Sequence, residues 1–322
     1  MPITPDRAAR HIEECKSFTG RHWPRFLFHS AQVNAAAEAL KMGKLVCRDE
    51  QRNLVHDAAN QGAIASNPDA LKFVRLYFRP KNSFHLKTEG IKFRGDPHRN
   101  EREMSIPILF LFNFSKVITQ AGIGFSDGKL ARQGAQPVFD EVGFNLIPFR
   151  DVYHDSAPPS SRMQEIHDRR MSEVVAPKEL LLADLLDAVQ CRTIYDEITL
   201  RYLTPGVPSR FSRLYRTSDN PPDLFMCFDT FIQLLEFQGD CLRMKLFAGK
   251  NYRAGRKIHC RIEQRVQGKL QMIADFDEVI NNNSVDVRPF KKEALSEWTI
   301  YLEEMLAFKG ILPYGKSELV KT

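Results

Sequence analysis

The sequence predicts an α+β protein in which a first part of mixed helices and strands precedes a second, strand-rich part. In the first part, the helix formers of residues 31–43 stand between β-type runs, and residues 106–114 are apolar at nearly every position. Beyond residue 240, β-type runs follow one another. The chain of 322 residues also exceeds the usual size of one domain. We therefore expect two domains, 1–203 and 204–322, divided at a segment rich in Pro, Ser and Arg.

Composition indicates a globular protein that stays inside the cell. Hydrophobic residues make up 43% of the chain and charged residues 27%, which is ordinary for a globular protein. No apolar run is long enough to span a bilayer, and the N-terminus lacks the apolar core of a signal peptide. We expect a cytoplasmic protein with no membrane partner and reduced cysteines, and no metal site, because no His/Cys cluster has ligand spacing. The net charge of +6 suits a polyanionic partner.

Local signals predict the elements of the first part in chain order. Helices are expected at 5–15, at 31–43 with Gly43 as the stop, and at 115–122 with Ser115 as the cap. Strands are expected at 25–30, 44–49, 71–80, 106–114 and 172–177, and 177–190 should be a strand that passes into a turn or helix. Residues 49–68 should form a helix and a loop, and 81–103 and 124–136 should be loops. The run 106–114 predicts a strand buried on both faces.

The second part opens with a linker or an ordered basic loop at 204–223. Strands are expected at 241–249, 257–266 and 269–279, with Gly268 in the turn before the last of them. Apolar residues at helical spacing, such as Trp298 and Leu302, predict an amphipathic helix at 295–308 that closes the chain. The second domain is therefore expected to be β-rich with a C-terminal helix.

Several segments of the first part resemble, in order, the motifs of one enzyme family. They are "LFHS" followed by a helix and "KMGKLV", then "VRLYFRPKNSFHL", then "IPILFLF" with "VITQAGIGFSDG", and finally "RRMSEVV". This order resembles the DarT family of nucleic-acid ADP-ribosyltransferase toxins over about residues 25–200. The resemblance implies an ADP-ribosyltransferase-type split β-sheet core with helices. It also implies NAD as the substrate that supplies ADP-ribose.

The resemblance assigns roles to particular residues. Glu173, which opens the predicted strand 172–177, would be the catalytic carboxylate that binds the ribose and takes a proton from the target base. His29 would contact the nicotinamide ribose. The segment that follows the strand 71–80 would line the NAD site, with pocket residues Tyr77, Arg79, Lys81, Asn82 and Phe84. Without the resemblance, the better interpretation of Glu173 is a solvated ion pair with Arg169 and Arg170, and a lone histidine such as His29 is more commonly a core residue. The aromatic residues can also simply pack the core.

The sequence departs from the family pattern at several positions. Lys81 stands where the family has Arg, and Phe84 stands where it has Met. The family's catalytic arginine lies in an Arg-rich helix, but the corresponding region here offers only Arg52. We retain Arg52 as the candidate catalytic arginine.

A basic stretch near the predicted boundary is a candidate nucleic-acid contact. "RYLTPGVPSRFSRLYR" carries Arg201, Arg210, Arg213 and Arg216, interleaved with aromatic residues and without an acidic residue. Arginine pairs with phosphate, and aromatic rings stack on unpaired bases. The alternative is a linker whose aromatic side chains pack on one domain while its charges face water.

The resemblance implies a toxin that transfers ADP-ribose to a base in single-stranded DNA or RNA and so blocks replication or translation. A cognate antitoxin would be its protein partner, in a toxin-antitoxin or phage-defence system. Two alternatives remain open at this stage. One is a catalytically degenerate binding protein on the same fold, and the other is a transferase that modifies protein side chains.

Overall fold

The computed structural model describes residues 2–50, 66–99, 104–251, 255–280, 282–288 and 296–311. The α-helices are α1 Pro5–Thr19, α2 Val33–Met42, α3 Ser83–Thr88, α4 Phe114–Ile118, α5 Glu141–Asn145, α6 Phe149–Val152, α7 Met163–Arg169, α8 Ile194–Leu203 and α9 Ser209–Ser212. The strands are β1 Phe26–Gln32, β2 Lys44–Val46, β3 Phe73–Tyr77, β4 Pro107–Asn113, β5 Gly124–Ser126, β6 Glu173–Pro177, β7 Glu179–Leu181, β8 Leu186–Cys191, β9 Tyr215–Thr217, β10 Ile232–Gln238, β11 Cys241–Leu246, β12 Lys257–Val266, β13 Lys269–Val279, β14 Ser284–Val287, β15 Glu297–Leu302 and β16 Met305–Ile311. Within these ranges no helix is long and apolar enough to cross a membrane.

A seven-stranded mixed sheet organises the first part, in the order β5-β6-β3-β1-β4-β8-β9. Neighbouring strands are antiparallel except for the parallel pair β8 and β9. Strand β4 lies inside the sheet with almost every side chain buried, which confirms the prediction of a strand covered on both faces. The helix predicted at 31–43 is also confirmed, because α2 ends at Gly43, whose φ of 70° suits a glycine cap. The α+β class is therefore correct.

The large sheet opens between the neighbouring strands β3 and β1. Strand β1 pairs with β4 along seven residues, and β3 pairs with β6 along five. Between β1 and β3, in contrast, only Phe28 and Tyr77 are paired. Beyond that pair, the His29 ring takes the place of a backbone partner and its Nδ1 lies 3.0 Å from the Arg75 carbonyl oxygen. The strands thus diverge at the position where Tyr77 and His29 stand.

The strand-rich part contains a four-stranded sheet, β13-β12-β15-β16, and a three-stranded sheet, β10-β11-β14. Their apolar faces form a second core around side chains such as Trp298 and Ile262. Strands β12 and β13 confirm the predicted runs, and the turn between them places Gln267 and Gly268 at φ of 47° and 79°. Such a two-residue turn matches the twist of a hairpin.

The C-terminal helix predicted at 295–308 is wrong. The segment forms β15 and β16, joined by a turn in which Glu303 and Glu304 have φ of 55° and 69°. Trp298, Ile300 and Leu302 also alternate along the chain, and all three are buried against the second core. The segment forms a strand and not a helix because its two-residue apolar period matches a strand and β12 provides the strand with which it pairs.

Three smaller predictions are also wrong. The segment 81–103 contains helix α3. Asn82 is the N-cap of this helix, because the Asn82 side chain accepts hydrogen bonds from the Phe84 and His85 amides. Helix α4 is capped by Asn113 and not by Ser115. The segment 124–136 opens with strand β5.

The predicted division at residue 204 stays a prediction. Residues beyond it take part in the first sheet, since β9 pairs with β8 and the Phe211 and Tyr215 side chains are buried in the first core. Conversely, Ile91 and Phe93 of the first part pack in the second core. Each part of the chain therefore contributes apolar surface to the other.

Candidate active site

Glu173 begins β6, directly after the turn that follows α7. Its cross-strand neighbours are Tyr77 on β3 and Ser126 on β5. Residues directly opposite in an antiparallel pair project on the same face. Arg75 lies two residues before Tyr77 and therefore shares that face. The sheet thus places a carboxylate between a phenol and a guanidinium, beside the position where β1 and β3 diverge.

The Glu173 carboxylate is fully buried, at 0% exposure. No hydrogen bond of ordinary geometry reaches either oxygen among the described residues, although the Leu130 amide and the Tyr77 hydroxyl approach the carboxylate and the Arg75 Nη1 lies 3.7 Å from Oε1. Burial raises the pKa of Glu173, while Arg75, the Leu130 amide and the Tyr77 hydroxyl act in the opposite direction. A buried carboxylate with unfilled acceptor positions lowers the stability of the fold. Such a group in a native protein usually has a function, such as binding a ligand.

The interpretation of Glu173 as a solvated ion pair with its arginine neighbours is wrong. Arg169 bonds to Asp127. Arg170 donates to His154 Nδ1 and to the Ser156 carbonyl oxygen. Neither arginine pairs with Glu173, which lies beneath the sheet surface.

His29 lies in the gap between β1 and β3. Because the Arg75 carbonyl oxygen can only accept, Nδ1–H donates to it, and a neutral ring then presents Nε2 as an acceptor. Burial lowers the pKa of His29, which favours that neutral form at pH 7. The strand context predicted for His29 is confirmed, although β1 continues three residues past it.

Further polar groups without hydrogen-bond partners lie in the helix α3 beside Tyr77 and at its N-cap. The His85 ring lies edge-on to Tyr77, with the ring centroids 6.0 Å apart. Burial lowers the pKa of His85 to about 4, so the ring is neutral. Among the described residues, His85 Nε2 and Asn82 Nδ2 are buried and have no hydrogen-bond partner. Phe84, half-buried, lies beside His85 with its ring centroid 5.6 Å away.

Arg79 and Lys81, the two cations among the predicted pocket residues, belong to a network around Trp23. The Arg79 guanidinium is buried and donates to the Val152 and His154 carbonyl oxygens and to Asp155. Lys81 donates to the Pro222 carbonyl oxygen and lies 3.8 Å from Asp155. Both cations sit over the Trp23 ring. These contacts engage part of their donors, since Arg79 Nε is buried without a hydrogen-bond partner in the described part of the chain, and the role of both cations toward a ligand stays a prediction.

The basic stretch near residue 204 lies at the other end of the sheet. Strand β9 is five strands away from β6, or about 24 Å at the usual strand spacing. Arg210, Arg213 and Arg216 are exposed, whereas Phe211 and Tyr215 are buried at 1% and 3% exposure and cannot stack on bases. The Phe211 and Tyr215 side chains thus pack on the domain while the charges face water, as the alternative to nucleic-acid contact expects.

Arg201 belongs to the same surface. It lies 2.7 Å from Glu197 and stacks over Tyr215. A role of the four arginines in attracting a polyanion remains a prediction.

Arg52, the candidate catalytic arginine, lies outside the described residues. The cation that the structure places beside Glu173 is Arg75, which sequence reasoning missed. Its signal was present in "VRLYF", because a residue two positions before Tyr77 on a strand must share its face. The sequence did not reveal that this face also carries Glu173, since strand pairing between distant segments sets that contact.

No protein-family profile and no curated protein sequence matches this chain. Among solved structures, it is similar to structures of the DarT protein. The DarT protein of Thermus sp. 2.9 in complex with ADP-ribosylated ssDNA aligns at a TM-score of 0.45 and 13% identity, covering 60% of this chain and 97% of that chain. The same protein in complex with NAD+ aligns at 0.41 and 13% identity, with 60% and 98% covered. Its complex with carba-NAD+ aligns at 0.41 and 14% identity, with the same coverage.

Proposed function

We propose that this protein is an ADP-ribosyltransferase that moves ADP-ribose from NAD to a base of single-stranded nucleic acid, DNA or RNA. The observation that carries the proposal is Glu173, a fully buried carboxylate that no hydrogen bond of ordinary geometry satisfies among the described residues. It stands at the divergence of β1 and β3. The motifs around it, in their order along the chain, support the same reaction.

The unpartnered groups fit the chemistry of NAD. Ribose hydroxyls are donors, which Glu173 can accept. A carboxamide offers both donors and an acceptor, which match the lone pair of His85 Nε2 and the Asn82 Nδ2 hydrogens. His29, Tyr77 and Phe84 complete the walls of the candidate pocket. Arg79 and Lys81 place positive charge on the same segment as Asn82, which favours an anionic pyrophosphate nearby.

The residues of the site have distinct tasks in the proposed reaction. When bound, NAD supplies the ribosyl carbon, which develops oxocarbenium character as its bond to nicotinamide breaks. Glu173 provides a fixed negative charge where positive charge develops, and such preorganised electrostatics is usually the largest catalytic contribution. Its second oxygen can take the proton from the acceptor base. The low dielectric of the buried position strengthens both interactions.

A single substitution tests the proposed function. Purified protein is incubated with labelled NAD and separate pools of single-stranded DNA, RNA and protein extract. We expect label in a nucleic-acid pool, and Glu173→Gln should lower transfer by roughly 100-fold or more, because the neutral amide cannot stabilise the developing charge. Glu165→Gln, an exposed glutamate of α7, is the matched control and should keep full activity.

The other outcomes separate the alternatives. Label in the protein pool alone indicates a transferase that modifies side chains. No label in any pool, with folded protein, indicates a binding protein on the same fold. In keeping with the sequence resemblance, we further propose that the activity is toxic and that a cognate antitoxin restrains it. Expression of the wild-type chain should arrest growth, and Glu173→Gln should abolish the arrest.

A further inference from the structure

We propose that Arg75 is the positioning residue of the site, which holds the Glu173 carboxylate in place and in its charged form. This inference rests on the proposed function. It assigns an arginine of the site to strand β3.

The first support is the placement of the guanidinium. Arg75 Nη1 lies 3.7 Å from Glu173 Oε1 and, among the described residues, forms the only ion pair of this carboxylate. The separation is that of a charge pair without a direct hydrogen bond. Arg75 therefore supplies the opposing charge without occupying a hydrogen-bond acceptor position of the carboxylate. A guanidinium suits this task because it stays protonated in proteins.

The second support is that the backbone of Arg75 is fixed from both sides. Its strand pairs with β6, where Arg75 is opposite Val175. Its carbonyl oxygen accepts from His29 Nδ1 at 3.0 Å. The same residue thus contacts the candidate catalytic carboxylate through its side chain and the candidate ribose-contacting histidine through its backbone. Its side chain keeps 30% exposure, so it reaches from the buried carboxylate to the opening of the site.

The charged and titratable groups around Glu173 define what the test must resolve. Arg75 and Tyr77 face the carboxylate from β3, and Lys129 approaches from the loop after β5. Lys129 is exposed, so solvent screens it more than Arg75. Burial raises the pKa of Glu173, and Arg75 lowers it. Without Arg75, mainly the Leu130 amide and the Tyr77 hydroxyl would oppose the effect of burial, so the pKa of Glu173 should rise further.

The experiment is a pH profile of kcat/KM for ADP-ribosyl transfer by the wild type, Arg75→Gln and Arg75→Lys. Activity needs ionised Glu173, so it should fall on the acid side of the profile. In Arg75→Gln that acid limb should move to higher pH by about one unit, with activity partly restored at alkaline pH. Arg75→Lys should keep the limb close to that of the wild type. Arg169→Gln removes a neighbouring arginine that pairs with Asp127 and should leave the profile unchanged.

A loss of activity in Arg75→Gln that is equal at every pH, or a rise of KM for NAD without a shifted limb, would overturn the proposal. A second measurement does not depend on activity. Carbon-13 NMR titration of labelled glutamate, with the Glu173 signal assigned through Glu173→Gln, should show a higher pKa in Arg75→Gln than in the wild type. An unchanged Glu173 pKa would refute the role of Arg75 even if the protein transfers nothing, and it would leave the proposed function standing if transfer is observed.

Discussion

At the scale of single residues, the site is defined by polar atoms that the protein itself leaves unsatisfied. Among the described residues, Glu173 opposite Tyr77, His85 beside Tyr77 and Asn82 at the N-cap of the same helix each bury such an atom. Buried polar groups in native proteins are almost always paired, so a cluster of exceptions marks a place where a ligand completes the bonding. The same rule implies that these residues weaken the fold in the absence of a ligand.

Glu173→Gln should therefore stabilise the protein at neutral pH. The folded-state pKa of Glu173 is raised, so folding favours the protonated carboxyl more than the unfolded chain does, and keeping the carboxylate ionised costs stability. Stability from this group is complete below the unfolded pKa and is lost as the pH rises through the folded pKa. Gln removes the charge, and we expect a gain of about 1–3 kcal/mol in the free energy of unfolding at pH 7, with no gain at pH 4. Thermal unfolding at both pH values measures it; a smaller stability at pH 7 would contradict it.

At the scale of elements, the turn between β15 and β16 contains two residues with strained backbone that differ in how they are stabilised. Glu303 and Glu304 both have positive φ, which costs roughly 1–2 kcal/mol for a residue with a side chain. Glu303 compensates, because its buried carboxylate accepts from the Arg94 and His259 amides and pairs with Arg99. Glu304 is exposed and pairs with His259 and Arg261, contacts that contribute little in water.

The two positions of this turn should therefore respond to the same substitution with opposite signs. Glu304→Gly relieves strained backbone and should raise the free energy of unfolding by about 0.5–1 kcal/mol. Glu303→Gly removes a buried acceptor of several bonds and should lower it by about 2–4 kcal/mol. Denaturant unfolding of the two variants beside the wild type checks the pair. Equal effects at both positions would show that the turn geometry does not limit stability.

At the scale of the whole molecule, the loop after the candidate site ties the two cores together. Lys92, at 1% exposure, pairs with Asp229, which also accepts from Asn251. Two residues earlier, Gly90 passes so close to Asp229 that an added Cβ would lie 2.7 Å from its Cβ. Glu89 accepts from the Met226 and Cys227 amides. The segment that leaves α3 is therefore fixed to the strand-rich part by charges and by close packing.

Lys92→Met should destabilise the protein by about 3–5 kcal/mol, because it leaves Asp229 buried without its cation. Lys92→Met combined with Asp229→Asn should recover a large share of that loss. Because the loop begins near Asn82 and His85, the single variant should also weaken NAD binding more than the double variant does. Unfolding midpoints and NAD titrations of both variants measure these effects, and equal stability of the single and double variants would contradict the coupling.

The sequence by itself determined the α+β class, the buried strand β4, the helix that ends at Gly43, and Glu173 as the carboxylate of interest. These follow from local periodicity, from caps and from motif order, which neighbouring residues along the chain specify. Only the tertiary structure decided that 297–308 belongs to a hairpin, because its residues fit both periods and β12 supplies the pairing partner. Only the tertiary structure brought Arg75 to Glu173 and the basic stretch away from it, since strand order joins residues about 100 apart along the chain. The burial of Glu173 also depends on the tertiary structure, because the strands that surround it come from segments far apart along the sequence.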